Sequence, residues 1–320
     1  MRLLTRLLIR FGTRLHRLAR MDSKLITADG LALHRRAWPL TAARGTVLIV
    51  HGLGEHIGRY AHVAAQLNRW GWRVVGHDHR GHGASAGPHG SLTEADDLLR
   101  DLALAVDAVR AAHPSEPLLL LGHSMGGAVA ARFVAEGVVV DSGSGSGSGS
   151  GVGEGADAVG RVAAPWFRPV DGLVLSSPAL AADLRWPQRL QLAVAGRLAP
   201  NLRVANGLEP AALSRDAAVV RAYLADPLNH DRITPRLARF ILDAGAQVRD
   251  RATAWTLPTL LLYGGCDRIV APAGSAAFAA AAPSAVVTVR RFEALFHEIF
   301  NEPEQGEVFA ALGDWLARFG

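Results

Sequence analysis

The sequence predicts an α/β protein built on a mostly parallel, doubly wound sheet with helices on both faces. Three observations indicate this class. Segments of strand length alternate with segments of helical periodicity along most of the chain. Several predicted strands are continuous apolar runs, which is typical of strands buried on both faces. Hydrophobic residues make up 49% of the 320 residues, enough for a substantial core.

Five strands and three helices are predicted before residue 140. The strands are KLIT (24–27), LALHRRAW (31–38), TVLIV (46–50), WRVVGHD (72–78) and PLLLLGH (117–123). The first two are expected to form a hairpin around Asp29-Gly30. The helices are YAHVAAQLNRWG (60–71), the segment 91–113 and MGGAVAARFVAEG (125–137). A capping box of Ser91 and Glu94 is expected to open the second helix.

The later part of the chain returns to the same alternation after an irregular stretch. Strands are predicted at VDGLVLSSP (170–178), PTLLLYGG (258–265) and AVVTVRRF (285–292), with helices at about 273–281 and 304–318. The stretch 179–252 has no convincing strand and is interpreted as several short helices. The predicted organisation is therefore a core in two parts, 21–178 and 253–320, with a helical cap between them.

The positive charge of the chain is concentrated at its start. The net charge is +5, but residues 1–20 hold six arginines and no acidic residue. Removing these six from the 34 basic residues leaves 28, against 29 acidic residues. The composition therefore gives no reason to expect a nucleic-acid partner. The single cysteine, Cys266, excludes an intramolecular disulfide.

Residues 1–20, MRLLTRLLIRFGTRLHRLAR, have an amphipathic helical pattern. Their apolar runs are too short for a secretory signal or a transmembrane span. Two interpretations are open: a peripheral membrane anchor, or upstream sequence ahead of a start at Met21. From Met21 the chain has the character of a cytoplasmic domain.

The strongest functional motif is Gly122-His123-Ser124-Met125-Gly126, directly between a predicted strand and a predicted helix. The G-x-S-x-G turn that exposes a nucleophilic serine requires this context. The two glycines lack the Cβ atoms that would collide where the strand doubles back into the helix. We therefore interpret Ser124 as a nucleophile rather than as part of a purely structural turn.

A serine hydroxyl needs a base, and in enzymes with this turn the acid and the histidine follow the serine in the chain. Asp267 follows the predicted strand LLLYGG, and His297 follows the last predicted strand. His297 is the predicted general base, and Asp267 is predicted to fix its tautomer. Asp183 is a competing acid, less favoured because it begins the predicted cap. Cys266 is interpreted as a turn residue.

Two backbone amides are predicted to stabilise a developing oxyanion. The loop HGLGEH follows the strand TVLIV, and its glycines allow the amide of Leu53 to point into the site. The amide of Met125 at the following helix is the second donor. His51 in the same loop is interpreted as a structural hydrogen-bonding residue.

The segment GHDHRGHG has the composition of a metal site. Its candidate ligands are His77, Asp78, His79 and His82. Such matches are often false, and serine chemistry requires no metal. We therefore predict no metal and no other cofactor.

Six motifs together carry a family resemblance: HGLGEHIGRY (51–60), GHDHRGHGAS (76–85), GHSMGG (122–127), DPLNH (226–230), YGGCDRIV (263–270) and LFHEIFNEPE (295–304). Through them the chain resembles the monoacylglycerol lipase / lysophospholipase branch of the α/β-hydrolases, which is serine aminopeptidase S33-like. The motifs occur in the family's order over nearly all of residues 24–318. The arginine-rich start and the Gly-Ser run depart from the pattern.

The resemblance implies the α/β-hydrolase fold, with an eight-stranded sheet and a cap at about 179–252. It also implies a triad of Ser124, Asp267 and His297, with oxyanion amides at Leu53 and Met125. The cap would shape a hydrophobic acyl tunnel. Glu55 and Arg59 would lie near the polar end of the site, with a surface ion pair as the alternative.

The expected function is cleavage of single-acyl lipid esters, such as monoacylglycerols, through an acyl-enzyme on Ser124. A lysophospholipase or a broad carboxylesterase is the first alternative. A peptidase and a catalytically silent hydrolase homologue are further alternatives. Membrane contact, if present, would be peripheral.

The run DSGSGSGSGSG (141–151) resembles a linker between domains. The proposed nucleophile precedes it, whereas Asp267 and His297 follow it. One active site needs both sides, so the run cannot separate two independent domains. We predict a disordered insertion at about 141–155, at the edge of the sheet opposite Ser124, because long loops add little closure entropy. Deletion of 142–151 is expected to leave hydrolysis nearly intact.

Overall fold

The computed structural model describes residues 21–138, 163–182 and 186–319. The strands are β1 (Met21–Ile26), β2 (Ala32–Trp38), β3 (Gly45–Val50), β4 (Trp72–His77), β5 (Leu118–His123), β6 (Gly172–Ser176), β7 (Val204–Ala205), β8 (Arg232–Ile233), β9 (Thr259–Gly264) and β10 (Val287–Phe292). The helices are α1 (Ala61–Arg69), α2 (Asp97–Ala112), α3 (Met125–Ala135), α4 (Trp186–Leu198), α5 (Ala217–Ala225), α6 (Pro235–Asp250), α7 (Pro272–Ala281) and α8 (Gln305–Leu316).

Eight strands form one sheet in the order β1-β2-β4-β3-β5-β6-β9-β10. Strand β2 is antiparallel to β1 and β4, and all other neighbours are parallel. The predicted mostly parallel, eight-stranded α/β-hydrolase sheet is therefore confirmed. The central strands β3 and β5 are buried at every position, as their continuous apolar runs require.

Side chains of the central strands alternate between two hydrophobic cores. On β5, Leu118 and Leu120 face one core, whereas Leu119 and Leu121 face the other. Helices α2, α3, α6 and α7 cover the first core, and α1 and α8 cover the second. The prediction of helices on both faces of the sheet is thus confirmed. Each buried leucine contributes about 1.5–3 kcal/mol of hydrophobic stabilisation to the folded state.

The parallel strands end at one edge of the sheet. Ser124 follows β5, Asp267 follows β9, and His297 follows β10. Leu53 follows β3 at the same edge. The topology alone therefore brings four distant sequence segments together at the carboxyl edge, where open α/β sheets bind their ligands.

The predicted cap, 179–252, contains helices α4, α5 and α6 and a two-residue antiparallel pair, β7 and β8, that the pattern did not indicate. Helix α6 buries Leu237, Phe240, Ala244 and Val248 in the same core as α3. Thr234 caps this helix, because its Oγ1 accepts a hydrogen bond from the Leu237 amide at 3.3 Å. We propose a shorter cap that ends near Thr234.

The capping box predicted at Ser91 and Glu94 is wrong, because helix α2 begins only at Asp97. The Asp97 side chain instead accepts hydrogen bonds from the amides of Thr93 and Glu94, at 2.8 and 2.9 Å. The same carboxylate pairs with Arg80 at 2.8 Å. These contacts hold residues 93–96 in a turn before the helix.

Three predicted features lie outside the described residues: the arginine-rich segment 1–20, the Gly-Ser run and Asp183. The described residues that flank the Gly-Ser run approach each other, since a Cβ on Gly137 would lie 2.6 Å from the Phe167 ring. The start of β6 pairs with the start of β5, at the edge opposite Ser124. Among the described helices, none is long and apolar enough to cross a bilayer.

Candidate active site

Ser124 lies on a strained turn between β5 and α3. Its backbone has φ 54° and ψ −122°, a conformation that non-glycine residues rarely adopt. A Cβ on Gly122 would lie 2.5 Å from the Gly126 oxygen, and a Cβ on Gly126 would lie 2.1 Å from the Val50 oxygen. The turn is therefore sterically possible only with glycine at both positions. A hydrogen bond from the Ser124 amide to the Ser176 oxygen, at 3.0 Å, helps to hold the turn.

His297 and Asp267 form a buried pair at the same edge. His297 Nδ1 lies 2.7 Å from Asp267 Oδ2, and both side chains are 3% exposed. The other oxygen of Asp267 accepts hydrogen bonds from the amides of Ile269 and Val270, at 2.8 and 3.0 Å. An ionised carboxylate can only accept, so the ring proton sits on Nδ1 and the lone pair on Nε2.

Ser124 and His297 line one cavity of about 190 Å³, which Leu53 also lines. Within the described part of the chain, the amides of Leu53 and Met125 donate no hydrogen bond to another residue. Met125 is the first residue of α3, where amides have no partner in the helix. Two unpaired donors and the positive end of a helix dipole are thus available to an anion here.

The polar end of the cavity contains a guanidinium between two carboxylates. Arg59 Nη1 lies 2.6 Å from Glu55 Oε2 and 2.6 Å from Glu298 Oε1, and Nη2 lies 2.8 Å from Glu298 Oε2. Glu55 Oε1 accepts hydrogen bonds from the Gly52 amide and the Tyr60 hydroxyl, each at 2.6 Å. Glu55 and Arg59 therefore form a buried network rather than a surface ion pair.

Glu298 is a member of this network that sequence reasoning missed. Burial raises the pKa of its carboxyl, but the charge and hydrogen bonds of Arg59 outweigh burial and hold it below its ordinary value. Its amide also donates to the Leu213 oxygen at 2.8 Å. Its position directly after His297, in LFHEIFNEPE, was the available signal.

Tyr223 from α5 is a second residue that the sequence did not indicate. Its ring stacks on the Arg59 guanidinium, 4.9 Å from the ring centre. Its hydroxyl donates to the Gly54 oxygen at 3.3 Å. Burial and the negative charge of Glu55 raise its pKa to about 12, so it stays a neutral donor. Through it, the cap contacts both the Arg59 network and the loop after β3.

His123 is neutral beside the proposed base. Burial, and then the neighbouring His297, lower its pKa to about 4. Its Nδ1 donates to the Ser176 oxygen at 3.1 Å, and its ring centre lies 4.7 Å from that of His297. It therefore packs beside His297 without competing with it for a proton at neutral pH.

The histidines of GHDHRGHG make contacts within the protein. The His79 amide donates to His51 Nε2 at 2.9 Å, and burial lowers the pKa of both rings. His82 Nδ1 donates a hydrogen bond to the Arg80 backbone oxygen at 3.0 Å. The Asp78 carboxylate accepts a hydrogen bond from the Ile57 amide at 2.7 Å. Across the described residues, no group of three or more histidine, cysteine or acidic side chains could hold a metal ion.

Cys266 is exposed in the turn before Asp267, and its amide donates to the Leu295 oxygen at 3.1 Å. The structure places it where a turn residue is expected.

Comparison with known proteins identifies the family. A family profile described as "Serine aminopeptidase, S33" matches residues 41–139 and 155–304. A monoacylglycerol lipase of Mycolicibacterium smegmatis is 34% identical over 301 residues, which cover 93% of this chain and 97% of that protein. The phospholipase YtpA of Bacillus subtilis is 27% identical, over 86% of this chain and 95% of that protein.

A solved structure shares both the fold and the sequence similarity. The crystal structure of Paleococcus ferrophilus monoacylglycerol lipase superposes with a TM-score of 0.71 and 30% identity, and the match covers 94% of this chain and 100% of that chain. The chain therefore belongs to the serine aminopeptidase S33 family of α/β-hydrolases and is a serine hydrolase of the monoacylglycerol lipase-like type.

Proposed function

We propose that the protein hydrolyses single-acyl lipid esters, with monoacylglycerols as the preferred class, through an acyl-enzyme on Ser124. The observation that carries this proposal is the 2.7 Å contact between His297 and Asp267, at a cavity that Ser124 also lines. The similarity to monoacylglycerol lipases supports the choice of substrate.

In the proposed mechanism, His297 Nε2 takes the proton of the Ser124 hydroxyl as its oxygen attacks the ester carbonyl. Asp267 accepts a hydrogen bond from the Nδ1–H group and stabilises the imidazolium that forms. The imidazolium then protonates the departing glycerol oxygen. In the second half, His297 activates a water that releases the fatty acid. The amides of Leu53 and Met125 hold the oxyanion in both halves, and no cofactor takes part.

The surroundings of the cavity support an amphiphilic substrate. Apolar side chains line one part of it: Leu208, Leu213, Leu224 and Ile269. Glu55 and Arg59 provide the polar end, where a glycerol head group would lie. The cap also carries most of the exposed large apolar side chains of the described chain, among them Trp186 (76% exposed) and Leu198 (81% exposed). Such a surface suits substrates that reside in lipid assemblies.

A lysophospholipase is the second candidate, favoured by the similarity to a Bacillus subtilis phospholipase. A monoacylglycerol and a lysophospholipid share the acyl ester and differ in the head group. The same proposed triad serves both, so the polar end of the cavity decides between them.

Labelling and a substrate panel test the proposal. A fluorophosphonate should label the wild-type protein and fail to label folded Ser124→Ala. The panel compares monoacylglycerols of several chain lengths with lysophosphatidylcholine, short p-nitrophenyl esters and aminoacyl arylamides. The highest kcat/KM should be for a monoacylglycerol. Preference for arylamides would overturn the lipid assignment, and failure of the wild type to label would overturn the proposed nucleophile.

We further propose a cytoplasmic protein with peripheral membrane contact through residues 1–20, on the basis of their arginine-rich pattern. Deletion of these residues should reduce co-sedimentation with anionic vesicles. Equal sedimentation of the two forms would reject the contact.

A further inference from the structure

We propose that Glu298 determines head-group specificity. Together with Glu55 it gives the polar end of the cavity an uncompensated negative charge, which favours neutral hydroxyl-bearing head groups and disfavours phosphate. This inference rests on the proposed ester hydrolysis and addresses the choice between monoacylglycerols and lysophospholipids.

The charge follows from the ion-pair geometry. Arg59 is shared by two carboxylates, and the three side chains are 13%, 5% and 4% exposed for Arg59, Glu55 and Glu298. One guanidinium cannot neutralise two carboxylates, so a charge of −1 remains on these three largely buried side chains. Charges that are buried in this way are screened far less than surface charges.

The outer carboxylates of the cavity lining each contact a basic side chain. Among the described residues that line the cavity, five are carboxylates and Arg59 is the only arginine or lysine. The three outer carboxylates, Glu209, Asp226 and Asp231, contact Arg268, His56 and Arg232 respectively. The excess negative charge that a ligand would meet at the buried end of the cavity therefore comes from Glu55 and Glu298.

Two acceptor positions remain open at this end. Glu55 Oε2 and Glu298 Oε1 each accept a hydrogen bond only from Arg59 Nη1 among the described residues. A carboxylate oxygen accommodates two hydrogen bonds, so each has room for one more. Both oxygens lie 2.6 Å from the same nitrogen, which places them close enough for two hydroxyl groups of one polyol.

A phosphate cannot use these positions, because it brings acceptor oxygens and negative charge to sites that need donors. Both Nη1 protons of Arg59 are already bonded to carboxylates. A phosphate that bonded Nη1 would have to displace one of these carboxylates and leave it buried without its cationic partner. A glycerol hydroxyl instead donates to the open acceptors and leaves the network in place.

The test compares two esters of the same acyl chain in the same mixed micelles, 1-acylglycerol and 1-acyl lysophosphatidate. The wild-type kcat/KM should favour the acylglycerol by at least about 100-fold. Glu298→Gln preserves the shape and removes the charge, so this ratio should fall at least about tenfold, mainly through a lower KM for lysophosphatidate. Asp243→Asn, which removes an exposed carboxylate outside the cavity, is the matched control and should leave the ratio unchanged.

A wild-type measurement separates charge from size and does not depend on the variant folding. The dimethyl phosphotriester of lysophosphatidate is larger but neutral. Charge exclusion predicts faster cleavage of the triester than of lysophosphatidate, whereas exclusion by size predicts slower cleavage.

An unchanged ratio in folded Glu298→Gln, or faster cleavage of lysophosphatidate than of the triester, would overturn the role of Glu298. If protein that reacts with the fluorophosphonate hydrolyses neither ester, the proposed function itself is overturned. The failure of the role of Glu298 and the failure of the proposed function are therefore distinguishable.

Discussion

Replacement of Asp267 by asparagine tests the proposed catalytic pair with little change of shape. Asp267 Oδ1 accepts hydrogen bonds from the amides of Ile269 and Val270, and Oδ2 accepts one from His297 Nδ1. In the asparagine variant the carbonyl oxygen must face the two amides, because an NH2 group there would oppose two donors. The NH2 group is then directed at His297 Nδ1.

The expected effect is a change of tautomer. His297 Nδ1 must accept a hydrogen bond from the asparagine, so the ring proton moves to Nε2. Nε2 then has no lone pair to take the proton of Ser124. The equivalent change in serine triads lowers kcat by about 10⁴-fold. That corresponds to about 5 kcal/mol of transition-state stabilisation.

The assay is steady-state cleavage of a short p-nitrophenyl ester, with thermal unfolding to verify that the variant folds. Cys266→Ser, an exposed neighbour in the same turn, is the matched control and should retain kcat within about twofold. If folded Asp267→Asn keeps more than a tenth of the wild-type kcat, the tautomer argument fails. A large loss in Asp183→Asn instead would identify the competing acid.

Three further predictions concern stability. Gly126→Ala should lower the stability of the folded protein by about 3 kcal/mol or more, because the added Cβ would overlap the Val50 oxygen. Gly306 has open space around it, so the control variant Gly306→Ala should have a nearly unchanged melting temperature. Burial holds the pKa of His77 at about 4 against 6.5 when unfolded, so the unfolded chain binds more protons between these values. The free energy of unfolding, measured by urea denaturation, should therefore fall as pH falls from 6.5 to 4, by about 3 kcal/mol for this imidazole. A free energy of unfolding that does not change over this pH range would contradict neutral burial of His77. Arg59→Ala should lower stability by about 3–5 kcal/mol in urea denaturation, since it leaves two buried carboxylates unpaired. An effect no larger than that of exposed Arg100→Ala would refute this.

The sequence predicts those parts of the fold that local patterns determine. The apolar runs at β3 and β5 require burial on both faces, and the glycines around Ser124 require a sharp turn. Because the sheet is parallel, the order of the motifs along the chain then brings Asp267 and His297 to the same edge.

Contacts between distant segments explain what the sequence did not reveal. Glu298 meets Arg59 across a separation of 239 residues, and no local pattern marks that pairing. The start of α2 depends on Asp97, whose side chain bonds the turn before it and Arg80 far upstream. Helix α6 lies within the predicted cap, 179–252, because that stretch has no convincing strand, and its apolar side chains pack in the same core as α3.

The edge opposite the cavity offers a place to divide the protein into two fragments. Gly137 and Phe167 lie together there, at either side of the Gly-Ser run. A fragment ending at Val138 would contain Ser124, and a fragment starting near residue 163 would contain Asp267 and His297. Neither fragment can hydrolyse an ester alone by the proposed mechanism, and β5 must pair with β6 to restore the site. Fused to two interacting proteins, such halves would report their association as esterase activity.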